Sequence, residues 1–505
     1  MDTEQGPLKH DWFRRQTLGL LLGPLVFLLL IILPPPGDMP AVAFKVLAVT
    51  CLMAIWWISE AIPIAATALL PIVLFPFLGV MSTQATTVSY AHHLIYLFLG
   101  GFLIAVTMEK WNLHRRIALQ TIHIVGVSPR RMILGFMLAT AFLSMWISNT
   151  ATAMMMLPIG LAVIGQFSRM QGDRQSEEEC NPENENHFGI GLMLGIAYAA
   201  SIGGVATLIG TPPNAILAGM VEKLYGISIS FADWMVFGLP LSIVMLAITW
   251  FYLTRLAHPC GMNAIPGAKQ LIGRELKELG PISREEIWVL IIFSMVALAW
   301  IVRGFVDLPF LGMVNDSSIA MAGALLLFII PSNLRRGEFL LDWRTAKGIP
   351  WDIIILFGGG FALAQGFSES GLTQWIASQL TALEGVPLIV LVGAVTLAVI
   401  LLTEVTSNTA TATLVIPLMG AMAQAMGVNV FTLMVPAAIA ASYAFMLPVA
   451  TPPNAIVFSS RYISIPQMAR AGFWLNMIAV VLITLFVYFI LPLIWNIDLH
   501  QAIHR

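Results

Sequence analysis

Apolar stretches of membrane-crossing length dominate the chain. Separated by short polar or Pro/Gly breaks, they fall near 18–33, 41–59, 63–80, 92–108, 131–165, 189–224, 235–256, 286–305, 316–331, 350–367, 384–425, 430–464 and 471–496. A helix of about 20 apolar residues crosses a bilayer core, so most of these predict single membrane helices. Three of them, 131–165, 189–224 and 384–425, are too long or too interrupted for one simple span, and 430–464 is interrupted as well.

Composition agrees with the pattern. Of 505 residues, 58% are apolar and 10% charged, and the mean hydropathy is +0.86; a soluble domain carries about 25% charged residues. That excludes a soluble enzyme, a nucleic-acid module and a disordered scaffold, and it predicts an all-α polytopic membrane protein. The net charge of −2 gives no cue for a nucleic acid or any other polyanion. Cys51, Cys180 and Cys260 lie far apart and form no disulfide or zinc spacing. His92-His93 sits at a membrane edge and reads as a packed pair, not a metal site. The run from Leu18 to Leu33 is followed by Pro34-Pro35-Pro36-Gly37 without a small-residue cleavage site, so it reads as a first membrane helix and not a removed signal.

Basic residues orient the spans, because they favour cytoplasmic loops. With the N-terminus cytoplasmic, and with 131–165 and 384–425 as hairpins that enter and leave on one side, 21 of the 25 Lys and Arg residues fall inside. Only Lys45, Lys223, Arg303 and Arg505 fall outside. Making either hairpin a full crossing would degrade that bias.

The chain also repeats itself. Gly100-Gly101-Phe102 recurs as Gly359-Gly360-Phe361, and Ser148-Asn149-Thr150-Ala151-Thr152 as Ser407-Asn408-Thr409-Ala410-Thr411, both at an offset of 259. Ser144 maps onto Thr403 at the same offset. Thr211-Pro212-Pro213-Asn214-Ala215-Ile216 recurs as Thr451-Pro452-Pro453-Asn454-Ala455-Ile456 at an offset of 240. An acidic, polar stretch from about Ser168 to His187, found only in the first half, absorbs the difference. The two Ser-Asn-Thr hairpins enter from opposite sides, so the repeats are inverted. Inverted repeats with interrupted helices in matching positions point to a transporter site near the membrane midplane. The glycine pairs read as close-packing positions, since no Lys-Ser/Thr follows to make a phosphate loop.

The duplicated boxes carry fitting chemistry. A Ser-Asn-Thr turn at a hairpin tip supplies two hydroxyls, an amide and free N–H groups at a helix N-terminus, where a carboxylate is a natural guest. Thr-Pro-Pro-Asn inside an apolar helix removes two N–H donors and frees carbonyls, and freed carbonyls beside Ser/Thr oxygens suit a small hard cation such as sodium. No Lys or Arg lies within the hairpins or broken boxes. A buried anion there needs cations to travel with it. Glu404, the only acid beside a Ser-Asn-Thr tip, reads as a brace for the hairpin.

At these boxes the chain resembles the divalent anion/sodium symporter (DASS) family. The likeness rests on Ser148-Asn149-Thr150, Ser407-Asn408-Thr409 and both Thr-Pro-Pro-Asn boxes. The stretches Gly101 to His114 and Ile349 to Leu372 add to it, and it covers roughly residues 15–495. The resemblance implies an inverted-repeat fold of about 11 transmembrane helices and two re-entrant hairpins, in a homodimer in the inner membrane, working by an elevator motion. It implies scaffold helices over 1–130 and 286–383, transport halves over 131–256 and 384–496, and a cytoplasmic loop over 257–285. By the same likeness the substrate carboxylates contact Ser148, Asn149, Thr150, Ser407, Asn408, Thr409 and Thr451, with Thr211, Pro212 and Pro452 nearby. One sodium site uses Ser144, Ser148, Asn149 and the backbone at Gly210. Its mate uses Thr403, Ser407, Asn408 and the backbone at Ala450.

The sequence therefore reads as a secondary transporter importing C4-dicarboxylates such as succinate with sodium. It has no catalytic residues and no cofactor beyond the coupling ions; its partners are the anion, sodium, lipid and a second copy. The same residues also fit a sodium-independent dicarboxylate exchanger, or a sulfate or citrate carrier of this fold. An anion channel or a membrane sensor is a further class.

Overall fold

The computed structural model of the chain describes residues 8–502 apart from 127, 173–181, 260–266, 307–312 and 380–384. Cys180, Cys260 and the acidic run Glu177-Glu178-Glu179 lie outside the described residues.

The first apolar run folds as α1 (Leu8–Ile32), and the prolines after it turn the chain back into α2 (Ala41–Ser59) alongside. The stretch 63–80, read as one helix, is two: α3 (Ile64–Thr67) and α4 (Leu70–Phe77). Pro71 in the first turn of α4 has no N–H to continue a helix through. Ser82 caps α5 (Thr83–Val88), which leads into α6 (His93–Lys110) and α7 (Leu113–Val125). The long segment that follows is a helical hairpin, α8 (Pro129–Ser144) and α9 (Asn149–Gly172), turning over 145–148. Next comes a broken element, α10 (Pro182–Val205) and α11 (Pro212–Tyr225), non-helical over 206–211. A capping box of Ser230 and Asp233 opens α12 (Phe231–Phe251).

The second half repeats the plan. After α13 (Ala268–Glu278) come α14 (Arg284–Phe305) and α15 (Asp316–Ile329). A short antiparallel pair, β1 (Pro331–Asn333) and β2 (Glu338–Phe339), departs from the all-α expectation. Then follow α16 (Trp343–Ala346), α17 (Trp351–Ser370) and α18 (Leu372–Gln379). The second hairpin is α19 (Leu388–Thr403) and α20 (Asn408–Ala425), turning over 404–407. The second broken element is α21 (Phe431–Ala440) and α22 (Pro452–Ser459), and α23 (Ile465–Leu485) and α24 (Leu491–Trp495) end the chain.

Eight helices among the described residues are long and apolar enough to cross a membrane. Their outward faces are greasy: Leu21 is 68% exposed, Ile32 80% and Leu493 78%. Such faces are costly in water and at home in lipid, as expected of a multi-pass membrane protein. Inside, α22 packs on α9 and α10, and α11 on α17 and α20, so the two halves interlock.

The repeat is visible in the packing. Gly100 of α6 lies against Ala320 of α15, where an added Cβ would come within 2.7 Å of the Ala320 carbonyl carbon. Its mate Gly359 of α17 lies against Ala68, where a Cβ would come within 2.4 Å of the carbonyl oxygen. The expected role of these glycines, close packing, holds at both. At the far end of α6, Lys110 Nζ lies 2.6 Å from Asp342 Oδ2, and Trp111 Nε1 donates to Leu340 O at 2.8 Å. Lys110 is the main cause holding the Asp342 carboxyl down to about 2, so that carboxylate stays ionised at neutral pH.

The Gly359–Ala68 approach predicts that Gly359→Val lowers stability by about 1–3 kcal/mol through overpacking. Purified Gly359→Val should melt at a lower temperature than wild type; equal melting would contradict the close approach.

Candidate functional site

The two hairpin tips and the two breaks meet around one cavity of about 780 Å³. Ser148, Asn149, Thr150, Gly210, Thr211 and Pro212 line it from the first half, and Ser407, Asn408, Thr409, Ala450, Thr451 and Pro452 from the second. Of the residues assigned to the substrate and sodium sites from the sequence, only Ser144 and Thr403 do not line the cavity; both are fully buried. The helices α9, α11, α20 and α22 all point their first residues into it. Each such N-terminus carries about half a positive charge. No Lys or Arg is among the lining residues, while Glu60, Glu109 and Asp352 line the cavity as well.

Local geometry refines the expected motifs. The turn is not Ser-Asn-Thr itself. Each serine sits just before its helix, and Asn-Thr opens the returning helix. Ser148 Oγ accepts from Ala151 N at 3.2 Å, whereas Ser407 makes no such cap. The prolines of Thr-Pro-Pro-Asn do not break a helix either. They occupy the first turns of α11 and α22, where a missing N–H costs nothing, and the break lies just before them.

The box asparagine repairs that break. Asn214 Nδ2 lies 3.3, 3.2 and 2.7 Å from the carbonyls of Gly204, Val205 and Thr207. In the second half Asn454 Nδ2 donates to Ala444 O at 3.1 Å and Leu447 O at 3.0 Å. Both side-chain oxygens are buried without a partner. The two breaks touch where Thr211 Oγ1 lies 3.3 Å from Ser442 Oγ.

Asn149 and Asn408 sit where oxygens converge. Turned with its NH₂ toward them, Asn149 Nδ2 lies 3.2 Å from both Gly210 O and Ala200 O, and also contacts Ser144 Oγ. Asn408 Nδ2 likewise lies 3.2 Å from Ala450 O and 3.3 Å from Ala441 O. Turned the other way, Asn149 Oδ1 joins the carbonyls of Gly210 and Ala200 and accepts from Ser144 Oγ, and Asn408 Oδ1 faces the carbonyls of Ala450 and Ala441. Hydroxyl, amide and carbonyl oxygens gathered in this way are the ligands a hard ion takes. The donor sets therefore fit sodium. Glycines admit this crowding: a Cβ on Gly204 would stand 2.7 Å from Asn149 Oδ1, and one on Gly210 2.4 Å from Gly204 O.

The halves differ in how each tip is tied to its break. In the first, Ser144 Oγ donates to Ala200 O at 2.6 Å and Thr207 Oγ1 to Met145 O at 2.5 Å. In the second, Thr403 Oγ1 donates to Val399 O of its own helix at 2.8 Å and makes no bond to Asn408. Glu404 takes over. Its carboxylate accepts from Met446 N at 2.9 Å, Leu447 N at 3.0 Å and Asn476 Nδ2 at 2.7 Å. It braces, as expected, and what it braces is the break. Thr207 and Asn476 escaped the sequence reading because neither belongs to a repeated box. Asn214 and Asn454 stood inside one.

A family model described as the sodium:sulfate symporter transmembrane region matches residues 14–496. The chain belongs to this family. Among its relatives, a Staphylococcus saprophyticus protein named sodium-dependent dicarboxylate transporter SdcS is 47% identical over 491 residues, 97% of this chain and 94% of that one. The Staphylococcus aureus (strain USA300) SdcS is 48% identical over 498 residues, covering 98% and 95%. Two solved transporters share the fold at low identity. Alcanivorax borkumensis YdaH has a TM-score of 0.55 at 11% identity, covering 80% of this chain and 87% of its own. Neisseria gonorrhoeae MtrF has a TM-score of 0.52 at 15% identity, covering 80% and 84%.

The crowding around Asn149 predicts that Gly204→Ala lowers the melting temperature of this symporter-family protein, a cost of about 1–3 kcal/mol. Gly165→Ala faces open space and should melt at or above the wild-type temperature, since alanine favours helix. Equal melting of the two variants would contradict the packing described.

Proposed function

We propose that this chain is a sodium-coupled carrier that imports a C4-dicarboxylate such as succinate. The observation that carries the reading is the pair of asparagines, each set between a cluster of backbone carbonyls and a shared cavity without a basic lining residue. A dianion in that cavity has four helix N-termini and a set of hydroxyls and amides for partners, but no formal positive charge. Cations in the two oxygen clusters supply it. The names of relatives 47% and 48% identical over nearly the whole chain favour dicarboxylate over sulfate or citrate, and sodium symport over exchange. Family membership makes the chain a transporter, so no covalent step is assigned to it.

The amides also couple the two cargoes. With sodium absent, the NH₂ of Asn149 satisfies the carbonyls of Gly210 and Ala200. With sodium present, Oδ1 turns to the ion and the NH₂ turns outward, toward a substrate carboxylate. Asn408 does the same in the second half. Ser148, Thr150, Ser407, Thr409 and Thr451 add hydroxyl donors, with Thr211, Pro212 and Pro452 shaping the wall. Ser144 and Gly210 complete the first ion site, and Thr403 and Ala450 the second. Thr403 keeps an oxygen lone pair for that role although its proton goes to Val399.

In the membrane, eleven crossings follow from the eight long helices together with 64–77, 316–329 and the broken α21–α22. The two hairpins are re-entrant from opposite faces, in the inner membrane with the N-terminus cytoplasmic. Residues 1–130 and 286–383 form the fixed scaffold of a homodimer, 257–285 a cytoplasmic connection, and 131–256 with 384–496 the moving elevator. Glu60, Glu109, Gly348, Ile349, Pro350 and Asp352 line the cavity and fall on the side rich in basic loops, which favours an inward-facing reading.

Radiolabelled succinate uptake into proteoliposomes empty of dicarboxylate tests the reading. Uptake should require an inward sodium gradient and be absent with choline, and Asn149→Ala and Asn408→Ala should each reduce it to background. Uptake that needs internal dicarboxylate and ignores sodium would make the protein an exchanger; wild-type rates in either variant would remove the site assignment.

A further inference from the structure

The end of α6 far from Glu109 holds a cluster that transport does not use. Glu109 at the C-terminal end of α6 lines the cavity, and His92 and His93 stand at the start of the helix, about 25 Å away at 1.5 Å per residue. Glu222 comes from the last turn of α11. One donor atom from each of the three side chains lies within 4.8 Å of the others, and all three residues are half-buried.

Neighbouring residues inside one helix face different ways. Here His92 is extended (φ −61°, ψ 137°) and only His93 is helical. The two rings therefore stack, with centroids 4.7 Å apart and planes 30° apart. His93 Nε2 lies 2.7 and 2.8 Å from the two carboxylate oxygens of Glu222. His93 Nδ1 is steadied by Ser317 Oγ at 3.3 Å. Metal-ligating histidines hold one ring nitrogen on an outer partner and leave the other for the metal; here Ser317 holds Nδ1, and Nε2 shares its space with the Glu222 carboxylate. Two imidazoles and a carboxylate form a zinc ligand set that leaves a fourth position for water. Lys223 does not fill the site, because its ammonium bonds Ser89 Oγ.

We infer that His92, His93 and Glu222 form a binding site for a zinc-class divalent ion that clamps α6 to α11. The ion takes the His93 tautomer whose ring proton sits on Nδ1, where Ser317 Oγ accepts it, which frees Nε2, and the carboxylate oxygen and Nε2 separate slightly to ligand distance. His92 turns its ring into the site by giving up a 3.5 Å contact with Leu94 N. Beneath it the seam is tight, because Phe361 of α17 fills the space where a Gly219 side chain would be. An ion there pins α11 in the position observed. That consequence rests on the transport reading, since it assigns α6 to the scaffold and α11 to the moving part; binding itself does not.

The test uses purified full-length protein without substrate, titrated with Co²⁺ as a visible stand-in for zinc. One equivalent per chain should give the visible absorption of nitrogen- and oxygen-ligated cobalt, bleached by Zn²⁺. Glu222→Gln and His92→Ala should weaken binding about tenfold or more. His93→Gln should do the same while its amide still reaches Glu222, which keeps the seam folded. No cobalt spectrum, or one unchanged in all three variants, would overturn the site. In proteoliposomes, Zn²⁺ should cut the uptake of wild type and spare that of the variants, each compared with itself without zinc. Cobalt binding with zinc-indifferent uptake would overturn the clamp. A protein with no uptake at all would count against the transport reading, and the cobalt titration would still decide the site.

Discussion

Backbone polar groups inside a bilayer must find partners within the protein, and this constraint organises the whole structure. Two helices are broken beside the cavity, which leaves carbonyls and N–H groups without helical partners. Asn214 and Asn454 each gather carbonyls from the break before them, Glu404 gathers N–H groups, and Ser144 and Thr207 tie the first tip to the first break. An unpaired buried polar group costs about 1–3 kcal/mol, so each of these side chains is needed for the breaks to persist. The glycines at 203, 204 and 210 belong to the same solution. They let the backbones of α8 and α10 and the first break close around Asn149; a Cβ on Gly203 would meet Ala141 O at 2.3 Å.

What is left over after that accounting is the functional part. Around Asn149 and Asn408 backbone carbonyls converge, and the cavity in front of them is lined by hydroxyls and helix N-termini. In the proposed reading the site is polarised, with a cation demand behind the asparagines and an anion demand in front. Neither demand is met by a side-chain charge. Lysine or arginine would hold a dicarboxylate permanently, whereas an ion that comes and goes leaves the anion free to depart with it.

Much of this was legible in the sequence, and the reason is physical. Lipid-facing helices leave long apolar runs, and duplication prints the same polar box twice, so spans, hairpins and boxes stand out. Features set by distant partners do not. The split of 63–80 at Pro71 is local but was masked by uniform hydropathy. The divergence of Ser144 from Thr403 depends on which carbonyl each hydroxyl finds, and the pairing of His93 with Glu222 spans 129 residues. The short strands after α15 are two and three residues long, below what alternation can signal. The role of the proline pair was misplaced by one turn, because a proline at the start of a helix and one inside it look alike in a string of letters.

The central claim is that one amide serves sodium with its oxygen and the anion with its NH₂. Asn149→Asp separates the two, since it keeps the oxygens and removes the NH₂. Thermal shifts of purified wild type and Asn149→Asp, measured with sodium against choline and then with succinate added, test this most directly. The account predicts a sodium shift in both proteins and a sodium-dependent succinate shift in wild type alone. A succinate shift of wild-type size in Asn149→Asp, or one in wild type that persists in choline, would contradict it.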